Sequence, residues 1–346
     1  GAEIVDGYLW GRGTLDMKGA VAMMLHALVT LAASGHTPAG DIILAVVSDE
    51  ENHGDFGARF LVEEHAEHFA GVRYCIGEFG GFPFQLGDTT FYPIQVAERV
   101  GVKFQLTIRG AGGHGSLPHR GGTTATLGKA LTALDRRRMP VHIVPATRLM
   151  LETMRDHTTG AVRAALRGLL EPRTAGLTLR ALGSRLEVLE PVLRNTVSAT
   201  VLRGGDKHNV IPAEVSVTLD GRMLPGLSPD VMADELRSIV GPEPEIEYSV
   251  DTAAPAAAEP DLGLFDVLAQ LIREHDPSGV PVPFLLPAVT DGRWFAQLGI
   301  QPYGFTPLML PHSFEFQSVV HAANERVPVD AIRTGSAMLL TLIHIS

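Results

Sequence analysis

The chain has 346 residues, and 28 Lys+Arg stand against 39 Asp+Glu for a formal net charge of −11 at pH 7. That balance argues against a nucleic-acid or anionic-membrane partner, which needs a basic footprint; the one dense basic run, Arg136 to Arg138, reads as the solvated end of a helix. Hydrophobic residues at 45% and charged residues at 19% exclude a disordered chain, and a single cysteine, Cys75, excludes both an internal disulfide and a thiolate metal site.

The sequence opens at Gly1 directly into strand-like residues with no signal peptide, so it reads as a chain cut into, with the cytoplasm as the default compartment. A short strand is predicted over 8–10 and a helix over 17–33, stopped by Ser34-Gly35. The apolar stretch 20–33 is interrupted by His26 and falls short of the roughly 20 residues a spanning helix needs. Residues 41–48 (DIILAVVS) form a continuous apolar run, which predicts a strand covered on both faces. A helix over 57–69 and a buried strand over 74–77 follow. This rhythm implies an α/β fold with an open, mostly parallel sheet that binds ligands at the carboxyl ends of its strands.

From Glu98 the pattern changes. Residues 102–109 (VKFQLTIR) alternate polar and apolar, as in a sheet with one wet face. A helix over 125–135, strands over 196–203 and 214–222, a helix over 229–240 and a strand over 245–250 complete a βαββαβ, ferredoxin-like α+β order. An extra, mainly helical segment, 141–193, lies inside it. Residues 252–260, rich in Ala and Pro, read as a linker. Beyond it the α/β rhythm resumes, with helices over 262–274 and 291–298, a strand over 282–286 and a last helix from 328. The expected organisation is one domain from 1–97 and 253–346, interrupted by an inserted domain, 98–252.

The chemistry concentrates where predicted strands end. Asp16 follows the first strand in GRGTLDMKG. Asp49, Glu50 and Glu51 sit together at the end of the apolar run, and Glu78 follows the strand 74–77 in GEFGG. Charges at the mouth of a buried sheet cost free energy unless a metal, hydrogen bonds or solvent compensate them. Neighbouring residues of an extended chain point in opposite directions, so adjacent glutamates can divide labour between ligating a metal and holding a water. His321, in VVHAANE, adds an imidazole, which favours zinc over magnesium or calcium. A GxGxxG at Gly110, Gly112 and Gly115 formally fits a dinucleotide site, but Pro118 and Gly121-Gly122 postpone the helix whose N-terminus would face the pyrophosphate.

GRGTLDMKG, SDEEN, GEFGG, GAGGHGSLPHRGG, NTVSATVLRGGDKHNVIP, LDGRMLPG, TDGRWF and HAANE, in this order from Gly11 to Val327, resemble the motif series of the di-zinc exopeptidases and amidohydrolases related to glutamate carboxypeptidase, aminoacylase, acetylornithine deacetylase and succinyl-diaminopimelate desuccinylase. The resemblance implies a zinc-hydrolase catalytic domain carrying an inserted lid and dimerisation domain. It implies that Asp16 bridges two zinc ions, that Glu51 and His321 complete one site, that Glu78 ligates the other, and that Glu50 is the general base; Co²⁺ or Mn²⁺ are possible substitutes for zinc. His114 would stabilise the oxyanion, commonly from the other subunit of a dimer, and Asn209 looks like a second contributor. Arg222 reads equally as a grip for a substrate carboxylate and as half of a structural ion pair.

The implied reaction is hydrolysis of an amide bond next to a free carboxylate, in a dipeptide, a peptide C-terminus or an N-acyl amino acid. The family pattern also has an HxD histidine some tens of residues before the GRG segment. Here GRG begins at Gly11, and no HxD precedes it; the reading favours loss of an upstream segment. Two other classes are weighed: a dimeric binding protein of this fold, impaired for want of that ligand, and an NAD-dependent oxidoreductase.

Overall fold

The computed structural model describes residues 2–117, 120–250, 257–311 and 313–345. Its central sheet is mixed, with five strands. Val280–Leu286 pairs in parallel with Thr89–Glu98, Gln301–Gly304 pairs in parallel with Tyr74–Gly77, and a short antiparallel contact, Gly304 opposite Gln95, joins the two pairs. Phe84–Leu86 adds an antiparallel hairpin strand beside Thr89–Glu98.

Alternation along Thr89–Glu98 sends its side chains to two cores. Tyr92, Ile94 and Val96 face the helices Lys18–Ser34, Phe265–His275 and Val329–Ile345. Phe91 faces the other way, onto Met150, Leu151, Met154, Leu166 and Leu169. The extra segment therefore supplies the second helical layer of this sheet, through the helices Pro145–Asp156 and Gly160–Leu170.

A second sheet is fully antiparallel, in the order Glu245–Val250, Val100–Arg109, Glu214–Met223, Thr196–Gly204. The helices Thr123–Arg136 and Pro229–Val240 share one core with Val102, Phe104, Leu106 and Ile108, while Lys103 between them is exposed. The linker expected over 252–260 lies largely outside the described residues.

Three expectations are corrected. Residues 41–48 pair with no described strand, and Ile42, Ile43 and Val46 are 40%, 48% and 63% exposed rather than covered on both faces. An apolar run records what a segment can bury; a ladder also needs a neighbouring strand, and none among the described residues supplies it. The acids consequently do not come from three strands of one sheet. Tyr8–Trp10 belongs to a separate three-stranded sheet with Glu3–Val5 and Arg326–Pro328, and Glu50 and Glu51 sit on a 3-10 turn, Glu50–Asn52. The helix expected over 57–69 is also divided, into Ala58–Glu64 and a 3-10 turn Ala66–Phe69.

Candidate metal centre

The small three-stranded sheet brings the two ends of the sequence together. Trp10 pairs with Arg326, so the loop that follows the first and the loop that precedes the second emerge side by side. Buried Glu325 fastens them: its carboxylate accepts hydrogen bonds from Leu15 N at 2.9 Å and Asp16 N at 3.3 Å and pairs with Arg12 Nη1 at 2.7 Å. Burial pushes this carboxyl up, but the backbone N–H groups of Gly13, Leu15 and Asp16, helped by Arg12, outweigh it and hold its pKa below the usual value.

That clamp sets His321 Nε2 at 2.8 Å from Asp16 Oδ2 and 2.9 Å from Glu51 Oε1. One ligand atom from each of the three lies within 4.8 Å of the others. The hydrogen bond with Asp16 raises the imidazole pKa. His321 adopts φ 58°, and the non-glycine residues Asp49, His53 and Phe79, which flank the other acids, also have positive φ. Left-handed backbone at β-carbon-bearing residues is costly and gathers where surrounding structure enforces it.

Asp49 uses its carboxylate locally, accepting Phe56 N at 3.0 Å and Ser48 Oγ at 3.2 Å, which leaves Glu50 and Glu51 to serve the site. The turn bearing them is tied to the helix Gly292–Phe295: Arg293 Nη2 and Trp294 Nε1 both donate to His53 O, at 2.9 and 3.1 Å. Gly54, at φ 69°, lets the turn approach Asp291 closely: an added β-carbon would stand 2.5 Å from Asp291 Oδ1, which would have to shift. Burial first, and then the charge of Asp291 against the opposing pull of Arg293, pushes Glu50 up to about 7. Asp291 and Arg293 are not among the residues picked out from the sequence, although both stand in TDGRWF, one of the eight motifs.

Glu78 follows Tyr74–Gly77 and is pushed up to about 9, by burial and then by the charges of Glu50, Asp16 and Asp291. Asp16 thus bonds to His321 at 2.8 Å, has Glu51 within 4.8 Å, and lies near enough to Glu78 to raise its pKa. Carboxylates this close disfavour one another's ionised forms, and a divalent cation is the group that lets them ionise together. Two oxygen donors and an imidazole at this spacing fit such a cation. Among the described residues no histidine forms a comparable group of three with Glu78.

His114 and Asn209 lie together at one end of the second sheet, where Gly113–His114 pairs with Val210–Ile211 and Gly115 N donates to Asn209 O at 2.8 Å. Ser116 N donates to His114 Nδ1 at 3.2 Å, which makes Nδ1 an acceptor and assigns the proton of a neutral ring to Nε2. Both residues are exposed, and no hydrogen bond or ion pair among the described residues links them to the Asp16 cluster. Arg222 pairs with Asp220 at 3.1 Å. In the glycine loop the next helix starts only at Thr123, too late to present its N-terminus to a pyrophosphate within the GxGxxG; Pro118 itself lies outside the described residues.

An α/β chain whose loops gather an imidazole and several carboxylates in one place has the make-up of a metal-dependent hydrolase. It belongs to peptidase family M20/M25/M40, whose family model matches residues 1–345, in agreement with the motif resemblance. It is 26% identical over 347 residues to the probable carboxypeptidase S-like 2 of Dictyostelium discoideum, covering 94% of this chain and 63% of that protein. It is 28% identical over 355 residues to the N-fatty-acyl-amino acid synthase/hydrolase PM20D1 of Xenopus tropicalis, covering 98% and 66%. The chain thus spans slightly under two thirds of the length of both. In fold it resembles the M20 family metallo-carboxypeptidase Sso-CP2 of Sulfolobus solfataricus, with a TM-score of 0.62 at 14% identity, over the whole of this chain and 80% of that one.

Proposed function

We propose that this chain is the catalytic portion of a di-zinc hydrolase that cleaves an amide bond next to a free carboxylate, in a dipeptide, a peptide C-terminus or an N-acyl amino acid. The observation that carries the reading is the convergence of Asp16, Glu51 and His321 within 4.8 Å. Names among its relatives, a carboxypeptidase and an N-fatty-acyl-amino acid hydrolase, support the substrate class.

Asp16, Glu51 and His321 would hold one zinc, and Asp16 with Glu78 the other. The cations supply polarisation of the scissile carbonyl and acidification of the attacking water. Glu50, beside the ligands and raised toward neutrality, accepts the proton of that water and delivers it to the leaving amine. His114, with its proton on Nε2, donates to the oxyanion, and Asn209 assists it. Arg222 releases Asp220 to take the substrate carboxylate, as a guanidinium holds carboxylates bidentately.

The second sheet, within 98–252, serves as lid and dimerisation domain. Its edge strand Thr196–Gly204 leaves Val201 and Leu202 42% and 57% exposed, as a surface that meets a second copy would. Among the described residues no helix is long and apolar enough to cross a membrane.

The test is Glu50→Ala, with hydrolysis of a panel of dipeptides and N-acyl amino acids and the zinc content measured on the same sample. Lost turnover with zinc retained supports the assignment; retained turnover removes Glu50 from its role.

A further inference from the structure

A second group of metal-ligating side chains stands apart from the candidate centre. The sequence His65-Ala66-Glu67-His68 occupies the point where the helix Ala58–Glu64 gives way to the 3-10 turn Ala66–Phe69. His65 N still closes the helix on Leu61 O, and His68 N bonds to His65 O at 3.1 Å in the tighter i to i+3 pattern. In a 3-10 turn, side chains three residues apart eclipse one another, so the two imidazoles emerge on the same side. Their ring centroids lie 5.9 Å apart with 24° between the planes.

Glu67 reaches between them. Its Oε1 is 3.7 Å from His65 Nδ1 and 3.9 Å from His68 Nε2, beyond hydrogen-bonding distance, and one ligand atom of each residue lies within 4.8 Å of the others. A tetrahedral zinc with bonds of about 2.0–2.1 Å needs ligand atoms roughly 3.3 Å apart, so the 3.7 and 3.9 Å gaps close with a small side-chain adjustment. Phe60 packs edge-on against His65, with centroids 5.2 Å apart, and limits the positions its ring can take.

We propose that His65, Glu67 and His68 form a peripheral transition-metal site, distinct from the Asp16, Glu51 and His321 cluster, that takes Zn²⁺ through two imidazoles and one carboxylate and completes its coordination with water. Two nitrogen donors select zinc over Mg²⁺ and Ca²⁺, which prefer all-oxygen shells. The site sits on the outer side of the unit that carries the Glu50 turn: Phe69 packs on Phe295 at 5.2 Å, and the Arg59 guanidinium lies over Trp294.

Equilibrium dialysis of the untagged chain against micromolar free Zn²⁺, followed by elemental analysis, tests this directly. The His65→Ala/His68→Ala double variant is expected to hold one equivalent fewer than the unaltered chain while hydrolytic activity is unchanged. His65 and His68 side chains are 41% and 68% exposed, so their truncation leaves the fold intact; Glu67→Gln, which alters no shape, is expected to weaken the same equivalent. Identical zinc counts in all three proteins, or loss of activity with loss of that equivalent, would overturn the proposal.

Discussion

Although 305 positions separate them in sequence, His321 Nε2 lies 2.8 Å from Asp16 Oδ2. The pairing follows from the three-stranded sheet that sets Arg326–Pro328 beside Tyr8–Trp10 and from the buried carboxylate of Glu325. Glu325→Ala strands the N–H groups of Leu15 and Asp16 and removes the ion pair of Arg12, which keeps its bond to Ala322 O. A loss of roughly 2–3 kcal/mol in urea unfolding is expected, together with lower kcat and weaker metal retention. Unchanged stability and activity would show that the two loops hold their places without the clamp.

Arg293 is expected to act as a positioning residue. Its guanidinium spans Thr290 O and His53 O, each at 2.9 Å, and so fixes the turn that carries Glu50. A lysine has a single ammonium and cannot reproduce the fork. Arg293→Lys should lower kcat by on the order of tenfold, a scale typical of misplaced catalytic groups, with little change in KM. An effect confined to KM would place Arg293 on the substrate instead.

The second sheet is proposed to contribute through His114. His114→Ala should reduce kcat by about two to three orders of magnitude if the ring donates to the oxyanion. A change in KM alone would mark it as a binding residue.

Glu98 makes stability depend on pH. It is fully buried and accepts Thr290 N and Thr290 Oγ1 at 2.8 Å and Gln95 Nε2 at 3.1 Å, yet burial prevails and pushes it from 4.5 up to about 7. Between these values the folded chain keeps a proton that the unfolded chain releases, so folding stability from this group is full below about 4.5 and falls as pH rises toward 7, by about 3 kcal/mol. Glu98→Gln, which mimics the protonated form, should flatten that slope in denaturant titrations at pH 5 to 7.5. An unaltered slope would assign the dependence elsewhere.

The legible parts of the molecule were those where local pattern and tertiary neighbours agree. The helix expected over 17–33 is found at Lys18–Ser34 and closes on Gly35 at φ 71°, because glycine after an apolar helical run is a local stop signal. The alternation of 102–109 is visible in Val100–Arg109, one face buried and Lys103 outward. Residues 41–48 depart from the expected strand because hydrophobicity shows burial capacity and carries no information about whether a partner strand stands alongside. Within the site, the acids and His321 could be picked out by residue type and motif, whereas Arg293 and Glu325 act through hydrogen bonds to backbone atoms of distant loops, which no local spacing records. Arg222 carries two chemically sound readings: strand alternation already puts Asp220 on its face, but the spacing does not record whether the guanidinium stays on that carboxylate or turns to a substrate.

The most direct test of the central assignment is the number of metal ions per chain, by elemental analysis, in the unaltered protein and in His321→Ala. Loss of at least one equivalent together with loss of hydrolysis is the expected result. A His321→Ala protein that keeps its full metal content and its activity would contradict the placement of the centre at Asp16, Glu51 and His321.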